Sequence, residues 1–345
     1  MNKINKYIYI WDTHWSEKFI DFINKFNDGK TFFYLLWDLF DRGSFSYENF
    51  QLIKKLHKEW LLDLIIWNHD LFFIFSKWLQ YDSKMKKHML QNRHYDIPKF
   101  QNALIYYKNL YSYNGWEQTD NSFIRNTTDD NSYSESEKTI EKYVEIADYF
   151  WENFNISMID HNNNLLVHGW IPILPSWDLV HTELNWKFLG WMELLESLNE
   201  WFKKLDVESI IILDNWIDED KWYHTLSQME RFQENLKTKD IYNFEWVRHL
   251  SPTWFDNSMY DKSEDVRNTL IQELNDNNIN NIFVGHWHNR EVYSDEFNNY
   301  KSKYWKYNRI FRLDRSFVQD FNWKYGTIGY AIFNKKNILI ETGSY

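Results

Sequence analysis

Three short β-rich runs, separated by helical spacing and each closing on a polar cluster, constrain this chain more than any other feature. Lys6 to Trp11 reads KYIYIW, Thr31 to Trp37 reads TFFYLLW and Leu61 to Trp67 reads LLDLIIW. Runs of this length and apolarity predict buried strands. Between the first two, Ser16 to Phe26 carries Phe19, Ile20, Phe22, Ile23 and Phe26 on one helical face, and between the last two Tyr47 to His57 predicts a second helix. Strand, helix, strand, helix, strand in seventy residues is a βαβαβ unit with a sheet that is at least partly parallel.

The rest of the chain elaborates this start. Residues 71 to about 155 read as helix-rich and then polar, with an exposed loop at TTDDNSYSESEK. Two short strands follow, near Ile156 to Ile159 and Asn164 to Val167. Met192 to Leu205 and Lys221 to Leu236 predict helices of a second insertion, and Asn281 to Gly285 another buried strand. The tail from Arg309 to Glu341 alternates in short runs and suggests antiparallel strands. There is no internal repeat and no Pro-rich linker. The expectation is one α/β domain over 1–345, its core at about 6–70, 156–172 and 244–342, with helical insertions at about 71–155 and 175–240.

Polar residues collect where these strands end. The first runs into Asp12-Thr13-His14, the second into Asp38 and then Asp41-Arg42-Gly43, the third into Asn68-His69-Asp70. Later strands run into His168-Gly169 and His286-Trp287-His288. The carboxyl ends of parallel strands are where α/β proteins place their sites. Each cluster alone has a bland reading: a surface Asp-x-His, a turn at Asn-His-Asp, a satisfied buried histidine at 168, two exposed strand residues at 286 and 288. Five such endings in one chain do not. Carboxylate, amide and imidazole donors suit Mn, Fe or Zn and need no thiolate. The two oxygens of Asp38 can bridge a pair of ions, and ions about 3.5–4 Å apart form the clamp used in phosphoryl chemistry.

Composition is compatible with this. The formal charge of -11 argues against broad nucleic-acid binding. It leaves a phosphorylated substrate open, because bound divalent ions reverse the local sign. Cysteine is absent, so disulfide and thiolate chemistry are excluded. No apolar run is long enough to span a bilayer, and MNKINKYIYI lacks the features of a signal peptide. The expectation is a cytoplasmic protein with no nucleic-acid or membrane partner.

On WDTHW (11–15), WDLFDRG (37–43), WNHD (67–70), HGW (168–170) and GHWH (285–288), the chain resembles the calcineurin-like metallophosphoesterases, in particular the bacterial serine/threonine phosphoprotein phosphatase type. NGWEQT (114–119) and SPTW (251–254) are similar to further elements of some members. The resemblance spans roughly residues 6 to 320. It implies a four-layer αββα sandwich of two mixed β-sheets flanked by helices. It also implies two divalent metal ions, one held by Asp12, His14 and Asp38, the other by Asp38, Asn68, His168 and His286. His288 either reaches the first metal or is a bystander. A bridging water would supply the hydroxide, His69 would act as general acid, Asp41 would orient His69, and Arg42 would clamp the phosphoryl oxygens. Arg248 is a second clamp candidate or a surface ion-pair residue. The substrate implied is a phosphorylated protein; the alternatives are a small phosphorylated metabolite, a dinucleoside polyphosphate, or an inactive scaffold.

The departure from the family is systematic. Trp stands at 11, 15, 37 and 67, where the family has Gly, and Trp116 and Trp170 look like further cases. The chain has 9 Gly and 20 Trp, whereas average usage near ~7% would give roughly 24 Gly. Glycine at such places lets the backbone turn tightly and approach a ligand closely; an indole would crowd the metal shell. Either the tryptophans are literal, or many are UGA codons that some bacterial lineages read as glycine. The match between deficit and excess favours the second reading. Some tryptophans are then still genuine, Trp254 being one candidate.

Overall fold

The structure is a computed structural model. It describes residues 4–11, 17–36, 43–65, 68–81, 104–105, 108–109, 111–112, 116–127, 137–153, 155, 157–167, 183–184, 187–188, 199, 276–284, 293–296, 309–312 and 328–345.

The opening βαβαβ unit forms as the periodicity predicts. Strand β1 (Lys6–Trp11), helix α1 (Glu17–Phe26), β2 (Thr31–Leu36), α2 (Ser46–Lys58) and β3 (Leu62–Ile65) follow in order. β1 pairs parallel with β2, and β2 with β3. Helix α3 (Asn68–Tyr81) begins three residues after β3, and α4 (Trp116–Thr127) and α5 (Glu137–Asn153) follow it. β4 (Ser157–Ile159), β5 (Asn164–Val167), β6 (Glu183–Leu184), β7 (Lys187–Phe188), β8 (Asn281–Val284), β9 (Tyr293–Glu296), β10 (Arg309–Arg312), β11 (Gly329–Asn334) and β12 (Leu339–Ser344) follow.

Among the described residues two mixed five-stranded sheets result. The first has the order β12-β11-β1-β2-β3, the second β4-β5-β8-β10-β9; β6 and β7 pair separately. The tail divides between them. β11 and β12 are antiparallel to each other, as the alternation suggests, and β11 is antiparallel to β1. β10 departs from that expectation: it lies antiparallel to β9 but parallel to β8, in the other sheet. Short alternating runs report a half-buried face, not the direction of the neighbour.

The sheets face one another across an aromatic core. Tyr9, Phe32, Tyr34, Leu36 and Ile65 from β1–β3, with Ala331 and Phe333 from β11, meet Leu166 of β5 and Phe283 of β8. Tyr9 stacks on Phe283 with centroids 4.0 Å apart. Strand side chains alternate in direction, so Ile8, Ile10, Phe33 and Leu35 point to the opposite face of the first sheet and are fully buried there. The apolar stripes of α1 (Phe19, Phe22, Ile23) and α2 (Phe50, Ile53, Leu56) are buried as well, and Phe22 meets Tyr330 of β11 at 5.1 Å. Helices, sheet and sheet are thus three layers; the expected fourth, and the helices expected at 192–205 and 221–236, lie outside the described residues. Among the described residues no helix is long and apolar enough to cross a membrane.

One helix end is unusual. After Glu59, Trp60 takes a left-handed backbone, φ 58°. Its N–H donates to the His57 carbonyl and that of Leu61 to the Leu56 carbonyl, each at 3.0 Å. This pair of hydrogen bonds is the Schellman closure, whose left-handed residue is usually glycine because a Cβ is crowded there. The other non-glycine residues at positive φ among those described are Asn163, Asn278 and Asn337, a residue type that tolerates the conformation. The Trp60 indole is 77% exposed.

Candidate functional site

The expected donors sit beyond strands whose ends the structure does describe. β1, β2 and β3 run parallel, ending at Trp11, Leu36 and Ile65. β5 and β8 also run parallel, with Val167 opposite Val284. The two sheets are oriented alike. Asn337, in the turn after β11, lies against Asn162 and Asn164 at the start of β5, and Asn281 at the start of β8 bonds Asn164. Lys6, where β1 begins, pairs with Asn334 at the end of β11, beside that turn. The starts of β1, β5 and β8 therefore share one end of the sandwich, and their carboxyl ends share the other.

Asp12, His14, Asp38, Asp41, Arg42, His168, Arg248, His286 and His288 lie outside the described residues. Asn68 and His69 form the first turn of α3; their side chains are likewise outside the description. Among the described residues no group of three or more His, Asp or Glu is placed to hold a metal ion. The frame around the strand ends is well tied.

The first tie involves the segment just after Asp41 and Arg42. Gly43, Ser44 and Phe45 lead into α2, and Phe45 at the N-cap makes no side-chain capping bond. The first turn of a helix leaves its N–H groups without internal partners. Here α4 supplies one partner from outside and ties down the rest of the turn through side chains. Ser122 Oγ accepts the Tyr47 N–H at 3.1 Å and donates to Glu48 Oε2 at 3.0 Å. Arg125 Nη2 donates to the Ser44 carbonyl at 2.9 Å and to Glu48 Oε1 at 2.7 Å, its guanidinium 5.5 Å from the Phe45 ring. Asn126 adds a third bond to Glu48, at 3.0 Å. Ser46 Oγ donates to the Gly43 carbonyl at 2.9 Å and lies 3.3 Å from Thr119 Oγ1. Burial alone would push the Glu48 carboxyl up; the bonds from Asn126, its own backbone, Arg125 and Ser122 outweigh it and hold the group below its ordinary value.

The second tie fixes α3, whose first turn carries Asn68 and His69. Lys77, two turns further on, is 2% exposed and pairs with Asp120 of α4 at 2.9 Å. Its ammonium lies 3.8 Å from the centre of the Tyr143 ring of α5 and 5.1 Å from that of Tyr111. Tyr111 also donates to Asp120 at 3.1 Å. A buried lysine needs such company: a carboxylate partner and ring faces that favour a cation. Trp78, next along α3, donates from Nε1 to Asp148 at 2.8 Å and meets Trp151 edge-on at 4.8 Å.

The other end of the sandwich holds a buried polar cluster. The Asp160 carboxylate accepts bonds from the Tyr9 hydroxyl, the backbone N–H of Asn162 and Asn164, and the Asn164 amide. Burial nevertheless raises its pKa, the hydrogen bonds offsetting this only in part. Sequence reading missed this cluster and the α4 clamp on α2. The run of Asn162, Asn163 and Asn164 between two strands is a turn signal, but nothing in the sequence says that the turn meets β1.

No family model matches the sequence, and no curated protein matches it. Among solved structures, the cold-active protein-tyrosine phosphatase of a psychrophile Shewanella is similar at 15% identity, covering 98% of this chain and 80% of that one, with a TM-score of 0.45. A protein serine/threonine phosphatase from Saccharomyces cerevisiae is similar at 14% identity, covering 99% and 80%, with a TM-score of 0.42. At such identities and TM-scores neither the fold nor the chemistry of these proteins transfers to this chain.

Proposed function

We propose that this chain is a metallophosphoesterase hydrolysing phosphomonoesters, of the serine/threonine protein phosphatase type, and that positions 11, 15, 37 and 67 are glycine in the working protein. One observation carries the reading. The strands that close on Asp12 and His14, on Asp38, on Asn68 and His69, on His168 and on His286 belong to two facing sheets and finish at one end of the sandwich. Donors of these types, delivered together, fit a pair of Mn, Fe or Zn ions.

Asp12, His14 and Asp38 would hold one ion, and Asp38, Asn68, His168 and His286 the other. When bound, such ions supply Lewis acidity and an acidified water at neutral pH. The chain's own residues do the rest. His69 would protonate the departing oxygen. Asp41 would accept the hydrogen bond that fixes the His69 tautomer. Arg42 would grip two phosphoryl oxygens with its planar fork, Arg248 assisting. Metal analysis of His288→Ala decides between a ligand and a bystander at that position.

Trp60 supports the glycine reading from outside the motifs. It occupies a helix-closing position that favours glycine, and its indole is mostly exposed. Trp78 and Trp151 behave oppositely: both are buried against each other, as genuine tryptophans pack.

The coding DNA is the first check, with TGA expected at 11, 15, 37, 60 and 67. Next, the chain is made with glycine and with tryptophan at these positions and assayed with Mn on a phosphoserine peptide, a sugar phosphate and a dinucleoside tetraphosphate. The glycine form should turn over the peptide best and stop on chelation. A glycine form that retains no metal and hydrolyses none of the three sinks the proposal.

A further inference from the structure

We infer that Arg125 is a positioning residue for Asp41 and Arg42, and that α4 is the brace of the segment that follows them into α2. The inference rests on the metallophosphoesterase reading above. Arg42 is followed by Gly43, and Arg125 holds the carbonyl of the next residue, Ser44. The same guanidinium bonds Glu48 in the first turn of α2 and lies over the Phe45 ring between them. One side chain thus joins the backbone just after Gly43 to the first turn of α2.

The rest of the α4 face repeats the contact. Thr119, Ser122, Arg125 and Asn126 recur at helical spacing, so they share one side of α4. Each reaches the segment from Ser44 to Glu48 through the bonds given above. Three of these four residues are polar groups that bond one carboxylate, Glu48. An arrangement built only to bury apolar area would not need them. Its effect is to fix the backbone downstream of Arg42 on a rigid helix that itself anchors α3 through Asp120 and Lys77. Both groups expected to act on the ester, His69 at the start of α3 and the Asp41–Arg42 pair that precedes Gly43 in the sequence, are then referred to the same helix. Placement errors of about an ångström cost on the order of a hundredfold in rate, so a brace at this distance is enough to matter.

Arg125 is also a clean residue to change. Its side chain is 53% exposed, so its loss opens no core, and half-exposed ion pairs contribute little to stability. The test uses the full chain with glycine at 11, 15, 37, 60 and 67, loaded with Mn, and compares Arg125→Ala and Arg125→Lys with the parent on p-nitrophenyl phosphate and phenyl phosphate. p-Nitrophenolate departs without a proton; phenolate needs one. Arg125→Ala should raise KM for both esters and lower kcat about ten- to a hundredfold on phenyl phosphate, with a smaller loss on the nitrophenyl ester. Melting temperature and bound metal should stay within error of the parent. Lysine should restore only part, since a point charge cannot hold Ser44 and Glu48 in one fork, and free guanidinium should partly rescue the alanine variant. Ser122→Ala, which removes the outside cap of α2, should give the same signature at smaller size. A parent that hydrolyses both esters while Arg125→Ala keeps its kcat, KM and leaving-group ratio overturns the inference alone. So does an equal loss on both esters that tracks lost metal. A parent inactive on both esters overturns the phosphoesterase reading, and the inference with it.

Discussion

Replacing Trp60 with glycine should stabilise the protein, against the usual direction for deleting a tryptophan. A left-handed backbone costs an ordinary residue about 1–2 kcal/mol through the Cβ contact with the following carbonyl. Glycine escapes that cost but loses more freedom on folding, by roughly 0.5–1 kcal/mol. Packing does not alter the balance: the indole is 77% exposed, and a realistic unfolded chain already hides roughly 10–40% of such surface. The expected gain is about 0.5–1 kcal/mol. For 345 residues, the unfolding entropy is roughly 0.7 kcal/mol per kelvin, so the melting temperature should rise by about 1 °C. Circular dichroism at 222 nm resolves this across replicate melts. Trp60→Ala keeps the Cβ and should gain nothing; Trp60→Asn should fall between. Trp78→Gly is the counter-experiment, because that ring is buried and bonded to Asp148. It should lose about 3–5 kcal/mol or more, roughly 4–7 °C on the same scale. If Trp60→Gly lowers the melting temperature, or alanine does as well as glycine, the backbone argument for glycine at position 60 fails.

The other expectations are briefer. His69→Ala should keep both metals yet lose most turnover on a phosphoserine peptide, and full activity there would remove the general-acid role; Asn68→Ala should instead lose one metal equivalent in metal analysis. Lys77→Met leaves Asp120 buried beside Tyr111 and should destabilise by about 3–5 kcal/mol in urea unfolding, whereas adding Asp120→Leu should recover most of it. The Glu48 carboxyl is held below its ordinary value, so its contribution is present above about pH 4.5 and is lost as pH falls through its folded value. Glu48→Gln should therefore flatten the acid limb of a stability–pH curve; an unchanged limb would show that the clamp contributes nothing there.

The architecture near the N-terminus was legible because its signals are local. Apolar spacing put a helix at Ser16 to Phe26, where α1 spans Glu17–Phe26, and the three strands within a few residues of where they lie. The order of sheets was not legible: no periodicity says that β10 joins β8 while β11 crosses back to β1. The expected ligands were readable as residue types at strand ends, and the structure adds which ends lie together. What escaped entirely was support through distant contacts. Glu48 looks like an ordinary first-turn acid, and Arg125 like a surface residue of a polar helix; only the packing of α4 on α2 joins them. Trp60 was missed for a different reason. Its position after Lys55, His57 and Lys58 is where a helix stop with glycine would be sought, and a tryptophan there hides the signal.

The asparagine-rich cluster between the sheets has a mechanical meaning. Sheets packed through aromatic faces alone could slide past one another with modest loss, since ring contacts are broad and replaceable. Asp160 forbids that. A shear of one residue pair would carry its carboxyl group away from the Tyr9 hydroxyl on the opposite sheet, leaving a buried polar group short of a donor at a cost of about 1–3 kcal/mol. The cluster works as a keyway at one end of the sandwich, and a rigid body keyed at one end holds its other end in register too. The ligands proposed above come from two separate sheets and would need that register, and the lock that provides it stands at the opposite end, clear of the proposed site.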